Sequence, residues 1–200
     1  RTAILTRQNI LQQLYEPVCL TVYLNEICNL DCAYCFSDPG KSEGSPLDQE
    51  TILQGSEMVI QNCRKCGCAF VAVFHGGGEP SLDIRLENIV DMQKAMSAEA
   101  GVKMFGYIAT NGVMSAEKAT SIASRFDLIG LSCDGPEDIQ AVQRKLKTGG
   151  NSLPYVERTA GIIHAAGKPL HVRVTITPTT IHRQVEITQY VCQTLRPQEI

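Results

Sequence analysis

Apolar, β-branched runs recur along the chain, separated by amphipathic stretches. The runs are VCLTVYL at 18–24, CAFVAVF at 68–74, KMFGYIA at 103–109, DLIGLSC at 127–133 and LHVRVTI at 170–176. Each is short, almost continuously apolar and closed by polar residues or glycine, the pattern of parallel strands buried on both faces. Between them the period is helical. Residues 83–100 set Leu86, Ile89, Val90 and Met96 on one stripe, with Asp83 or Ser81 as its cap. Residues 115–125 begin with Ser115 and Glu117, suited to a first turn, and turn Ile122 and Phe126 inward. Residues 153–166 start near Pro154 and stop before Gly167, and residues 181–195 stop before Pro197. Five strand–helix units in series predict an α/β fold with a parallel sheet and right-handed crossovers. An open doubly wound sheet and a curved barrel both fit this periodicity, and both gather function at the C-terminal ends of the strands.

Composition narrows the picture. Two hundred residues, 44% apolar and 20% charged, suffice for one domain or part of a larger one. A formal net charge of −3 offers no basic surplus, so no nucleic-acid partner is expected. No run is long and apolar enough to span a membrane, and the first residues lack the apolar region of a signal peptide, so a cytoplasmic setting is the default. The chain opens on Arg1 rather than methionine, which suggests an excised piece. Its nine cysteines, at 19, 28, 32, 35, 63, 66, 68, 133 and 192, are odd in number and tightly clustered, which favours metal binding over a disulfide scaffold.

Four chemically unusual loops follow strands directly. Cys28, Cys32 and Cys35 follow the first, HGGGEP (75–80) the second, TNG (110–112) the third and SCDG (132–135) the fourth. Three thiolates suit iron with sulfide, soft partners, and leave one iron without a protein ligand, an open coordination position. The alternative is three ordinary buried cysteines, or zinc completed by a ligand from elsewhere. Gly77 and Gly78 let a ligand touch the main chain while Glu79 accepts hydrogen bonds from an ammonium; read alone, the same residues are equally a tight turn into a helix.

Cys28-x3-Cys32-x2-Cys35, with Tyr34 before the last cysteine and Gly-Gly-Glu-Pro after the next strand, resembles the radical S-adenosylmethionine (SAM) superfamily. ATNG and SCDGPEDIQAVQR are similar to the branch whose members often carry a C-terminal SPASM domain, including sulfatase-maturating enzymes and peptide maturases. The resemblance runs from about Val18 to Pro178. It implies a partial (β/α)6 barrel, TIM-like, holding a [4Fe–4S] cluster on Cys28, Cys32 and Cys35. It further implies SAM on the open iron, Tyr34 near the adenine, and Gly77, Gly78 and Glu79 at the methionine amino group. Ser132 and Arg144, the latter on the following helix, match positions that contact SAM and its carboxylate; Asn111 would order the pocket. Arg144 is equally a solvated helix arginine, and Asn111 equally the turn residue of an Asn-Gly pair.

The implied activity is reductive cleavage of SAM to a 5′-deoxyadenosyl radical that abstracts hydrogen from a C–H bond of a peptide or protein side chain. An external one-electron reductant of flavodoxin or ferredoxin type would supply the electron. Activation of another enzyme, a small-metabolite reaction, or a non-catalytic iron–sulfur or zinc module are the alternatives. The expected organisation is an extension at 1–17 followed by the barrel core at 18–200, with RPQEI stopping where a sixth strand would begin and no SPASM region following. Departures from the pattern are Cys133 in place of an aliphatic residue, read as a small core residue, and IQAVQR without the usual His-Asp. CRKCGC (63–68) is read as packing or a surface redox feature, with a second metal site as the alternative. His75 is read as a hydrogen-bonded strand-end histidine, with lining of the pocket as the alternative, and the remaining histidines as structural or exposed.

Overall fold

The structure, a computed structural model, describes residues 15–37 and 47–200. All five apolar runs form strands: β1 (Cys19–Val22), β3 (Phe70–Phe74), β4 (Met104–Thr110), β5 (Leu128–Ser132) and β7 (Leu170–Arg173). They make one parallel sheet in the order β1-β3-β4-β5-β7, with Val22 beside Phe74, Phe74 beside Ile108, Thr110 beside Leu131 and Ser132 beside Arg173. Between them run α1 (Gln49–Cys66), α2 (Leu86–Glu99), α3 (Ala116–Arg125), α4 (Glu137–Gln143), α5 (Leu153–Ala165) and α6 (Gln184–Tyr190), the last continued by a π turn at Val191–Leu195. Spatial order follows chain order, and α1 packs on α2, α2 on α3 and α3 on α5. Right-handed crossovers that never reverse direction put every helix on one face, which selects the singly wound, barrel-type arrangement over the doubly wound one. The result is a partial, barrel-type α/β sheet that is not closed among the described residues. Beyond β7 the sheet continues, because Gln198 N donates to Leu170 O and Val172 N to Glu199 O, both at 2.9 Å.

The expectation that both strand faces are buried needs correcting. Along β3 the burial alternates: Phe70, Ala72 and Phe74 are sealed under the helices, whereas Val71 and Val73 are half-open. Only the convex face carries helices; the concave face, open along this sheet, lines the site instead. The covered face holds Leu86, Ile89, Val90, Ile122 and Phe126 as the stripes predict, with Phe126 edge-on to Phe74 at 5.7 Å between centroids. Asp48 caps α1 by accepting from Thr51 N at 2.8 Å, and Ser115 caps α3 from Lys118 N at 3.2 Å. Such caps are each worth about 1 kcal/mol. At α2 neither expected cap operates. The helix starts later, at Leu86, and Asp83 instead binds the backbone and guanidinium of Arg85.

A second correction concerns residue 144. Helix α4 ends at Gln143, and Arg144 opens strand β6 (Arg144–Leu146), which pairs antiparallel with β2 (Leu30–Cys32). Cys32 lies opposite Arg144, Lys145 pairs with Asp31 at 3.0 Å, and Leu30 is buried. This small sheet clamps the cysteine loop onto the segment after β5. Of the expected 1–17 extension, residues 1–14 lie outside the described residues; Pro17 O accepts from Asn62 on α1.

Candidate functional site

The loops after β1, β3, β4, β5 and β7 converge at one end of the sheet around a cleft of about 260 Å³. Its lining includes Cys28, Cys35, Gly77, Gly78, Glu79, Asn111 and Ser132. Of the predicted site residues, Cys32, Tyr34 and Arg144 do not line it; they are joined to one another instead, Cys32 opposite Arg144 in the strand pair and Arg144 on the Tyr34 hydroxyl.

Cys28 and Cys32 are half-buried and Cys35 is exposed. The Cys28 sulfur accepts from Leu30 N at 3.4 Å and from Asn111 Nδ2 at 3.6 Å, and Cys35 N closes a turn onto Cys32 O at 3.0 Å. Burial pushes the Cys28 thiol up, and the charges of Glu79 and Cys35 add to the effect. Burial pushes Cys32 up to about 11 against the pull of Arg144, with Cys28 and Cys35 again opposing a charge there. Ionising Cys28 or Cys32 is thus opposed by charge on the neighbouring cysteines, and a positive group shared by the loop would relieve that opposition. Soft donors around a shared cleft fit an iron–sulfur group. Among the described residues no three Cys, His, Asp or Glu side chains are gathered to hold a single metal ion.

Glu79 is 3% exposed and spends its carboxylate on the chain itself. Oε1 accepts from Ser81 N at 3.1 Å and Thr110 Oγ1 at 2.5 Å, and Oε2 from Asn111 N at 2.7 Å. A carboxylate has about four acceptor positions, so roughly one remains. The glycines have a structural reason that the sequence did not disclose. A Cβ on Gly78 would stand 2.1 Å from Ile27 O, and one on Gly77 2.6 Å from Asn25 O. The loop lies that close because Gly78 N donates to Asn25 O and Glu79 N to Ile27 O, both at 2.7 Å. Asn111 ties the same parts together: its Nδ2 donates to Asn29 Oδ1 at 2.8 Å, and its Oδ1 accepts from Val113 N at 2.8 Å.

Sequence reasoning missed a buried hub at Asp134, which is 0% exposed. Its Oδ2 accepts from Tyr34 Oη at 2.5 Å and Gln143 Nε2 at 3.0 Å, and its Oδ1 from Thr175 N at 2.9 Å. Arg144 Nη1 donates to Tyr34 Oη at 2.6 Å, while its Nε is buried without a partner. Burial opposes the Arg144 charge, but Tyr34, Cys32 and Asp134 outweigh it and hold the guanidinium protonated. Gln140 and Gln143, where the usual His-Asp is lacking, serve this hub: Gln140 Oε1 accepts from Asp134 N at 2.9 Å. The available signal was a carboxylate in a strand-end Asp-Gly facing glutamines three apart on one helix face.

Three further outcomes complete the site. Cys133 is fully buried in the core, as expected, with its thiol pushed by burial up to about 11. Cys63 is buried beneath β1, and Cys66 and Cys68 lie side by side, a close cysteine pair outside the cleft. His75 departs from its first reading and meets the alternative: it lines the cleft, and its Nδ1 is buried without a hydrogen-bond partner.

The family model described as Radical SAM superfamily matches residues 22–190. Relatives include the cysteine-type anaerobic sulfatase-maturating enzyme of Clostridium perfringens, 26% identical over 170 residues, covering 82% of this chain and 45% of that protein. Mycofactocin maturase MftC of Mycolicibacterium smegmatis is 32% identical over 121 residues, covering 60% of this chain and 28% of that one. Among solved structures, native anSMEcpe with bound AdoMet and Cp18Cys peptide matches with a TM-score of 0.76 at 23% identity, over 88% of this chain and 48% of that one; this likeness is one of fold. The chain spans about half the length, or less, of the relatives it matches.

Proposed function

We propose a function that starts from the family: the chain belongs to the Radical SAM superfamily. Its role is that of the catalytic core of a radical SAM enzyme that modifies a side chain of a peptide or protein. The observation that carries this reading is the convergence of Cys28, Cys35, Glu79, Asn111 and Ser132 on one cleft at the C-terminal strand ends, with Cys32 on the same loop. In the proposal Cys28, Cys32 and Cys35 hold a [4Fe–4S] cluster, and SAM lies in the cleft. When bound and given one electron, this pair supplies a 5′-deoxyadenosyl radical able to take hydrogen from an unactivated C–H bond.

The chain's own residues bind and orient. Glu79 would offer its remaining acceptor position to the SAM ammonium, while its other bonds keep the carboxylate aimed. Ser132 would donate to the SAM carboxylate from the end of β5. Asn111, through its amide on the Cys28 sulfur, would steady that thiolate. Tyr34 and Arg144 would act together, the phenol holding the guanidinium and the arginine charge favouring an ionised Cys32. The substrate class is supported by relatives named as a sulfatase-maturating enzyme and a mycofactocin maturase. A flavodoxin- or ferredoxin-type reductant would deliver the electron, and the cytoplasm is the setting in which the cysteine thiols stay reduced. Among the described residues no helix is long and apolar enough to cross a membrane.

The reading is tested by electron paramagnetic resonance of the anaerobically reconstituted, reduced protein. The expected result is an iron–sulfur signal whose shape changes when SAM is added. A signal indifferent to SAM, or a protein that takes up zinc in place of iron, would contradict it.

A further inference from the structure

The cleft has two chemically different sides, and the function just proposed draws on the second only through Ser132. On one side stand the thiols and Glu79. On the other, Arg173 at the end of β7 reaches in beside Ser132, its partner in the strand register. Arg173 is exposed, and although its carbonyl accepts from Cys133 N at 3.1 Å, its guanidinium has no ion-pair or hydrogen-bond partner among the described residues. Arg144, by contrast, is 8% exposed and engaged with Tyr34, so the guanidinium that faces the cleft is that of Arg173.

His75, at the end of β3, supplies the second observation. Its ring is held edge-on by Tyr23 at 6.1 Å, and its Nδ1 is buried without a partner. The Nδ1 edge is therefore turned into the protein, and the rest of the ring is what the cleft sees. In a flat sheet, β3 and β7 would lie about 14 Å apart, three strand spacings. Yet the Arg173 charge acts on His75, lowering its proton affinity after burial has already done so. Both residues also line the one cleft, so the sheet curls enough for the two to address a single volume.

We propose that Arg173 and His75 form a carboxylate-recognition site for the substrate, which is accordingly a peptide presenting a carboxylate next to the residue to be modified. This rests on the radical SAM reading for its notion of substrate. A guanidinium fork pairs with both oxygens of a planar carboxylate, and the neutral His75 imidazole that lines the same cleft adds one further donor through Nε2. The carboxylate can belong to an acidic side chain or to a peptide C-terminus.

Saturation-transfer NMR on the reconstituted protein tests this with three short probes. These are Ac-Ala-Glu-Ala-NH2, Ac-Ala-Gln-Ala-OH and the neutral Ac-Ala-Gln-Ala-NH2. We expect saturable transfer to one or both acidic probes, the first reporting a side-chain carboxylate and the second a C-terminal one. We expect binding at least tenfold weaker for the neutral probe and for R173Q, with partial recovery in R173K. Equal binding of the neutral probe, or full binding by R173Q, would overturn the site. A tenfold loss of SAM affinity in R173Q, measured by equilibrium dialysis, would assign the carboxylate to the cofactor and likewise overturn it. Wild-type protein that binds SAM but no acidic probe removes this site alone. Protein that binds the acidic probe through Arg173 but takes no SAM removes the radical SAM reading and leaves the site standing.

Discussion

Replacing Gly78 with alanine separates two reasons for a glycine at this position. If its purpose is to let a ligand approach the main chain, G78A should fold normally and bind SAM poorly. The geometry predicts otherwise. The new methyl would lie 2.1 Å from Ile27 O and 2.5 Å from both Asn25 Oδ1 and Ile27 N, distances that backbone cannot tolerate. The segment leading to Cys28 has to retreat, which breaks Gly78 N to Asn25 O and Glu79 N to Ile27 O, both 2.7 Å. Two such bonds are worth about 2 kcal/mol net, and about 1–3 kcal/mol each if the buried groups stay unsatisfied. We expect a loss of roughly 3 kcal/mol in urea unfolding of the cluster-free protein, seen as a lower midpoint with unchanged slope. Iron incorporation should fall with it, because the displaced segment carries Cys28. A variant within about 0.5 kcal/mol of the parent, with full iron content, would refute this reasoning.

Other predictions follow from the same contacts. Asp134→Asn replaces one acceptor oxygen with a donor facing Tyr34, Gln143 or Thr175, and should cost about 1–3 kcal/mol in denaturant unfolding; an unchanged midpoint would count against the hub. A Cys66→Ser, Cys68→Ser double variant should keep the iron content and absorbance of the parent after reconstitution, since that pair lies apart from the cleft. Burial holds the Cys133 thiol near 11 rather than the ordinary 9.0. The folded state then retains a proton that the unfolded chain loses, so this contribution is full below pH 9 and is lost as pH rises towards 11. The effect amounts to about 2–3 kcal/mol at most; Cys133→Ala should flatten that alkaline limb of stability in the cluster-free protein, and an unaltered limb would show the thiol is not its source.

The main sheet was legible because its strands are short apolar runs with polar stops, a signal carried by local periodicity. So were the stripes of α2 and α3, whose Leu86, Ile89, Ile122 and Phe126 are buried as the spacing requires. What escaped was set by contacts distant in sequence. The β2–β6 pairing joins residues more than a hundred positions apart through three residues each, too few to show a period. Helix α2 lost its expected cap because Arg85 claimed Asp83 first. At the site, the cysteines, Glu79, Asn111 and Ser132 were identifiable by their places after strands, and all of them but Cys32 share a cleft. The glycines' tight fit against residues 25–27, the Asp134 hub and the free guanidinium of Arg173 depend on which way side chains turn in the folded sheet. Neither spacing nor composition specifies that.

The central claim is that this cleft holds a cluster on Cys28, Cys32 and Cys35 that cleaves SAM. Its most direct test is anaerobic reconstitution followed by counting iron and sulfide and assaying 5′-deoxyadenosine under a strong reductant. The account predicts about four iron and four sulfide per chain, with 5′-deoxyadenosine formed by the parent and lost in each single cysteine-to-alanine variant. An intact cluster that never cleaves SAM, or cleavage that survives loss of any one of these cysteines, would contradict it.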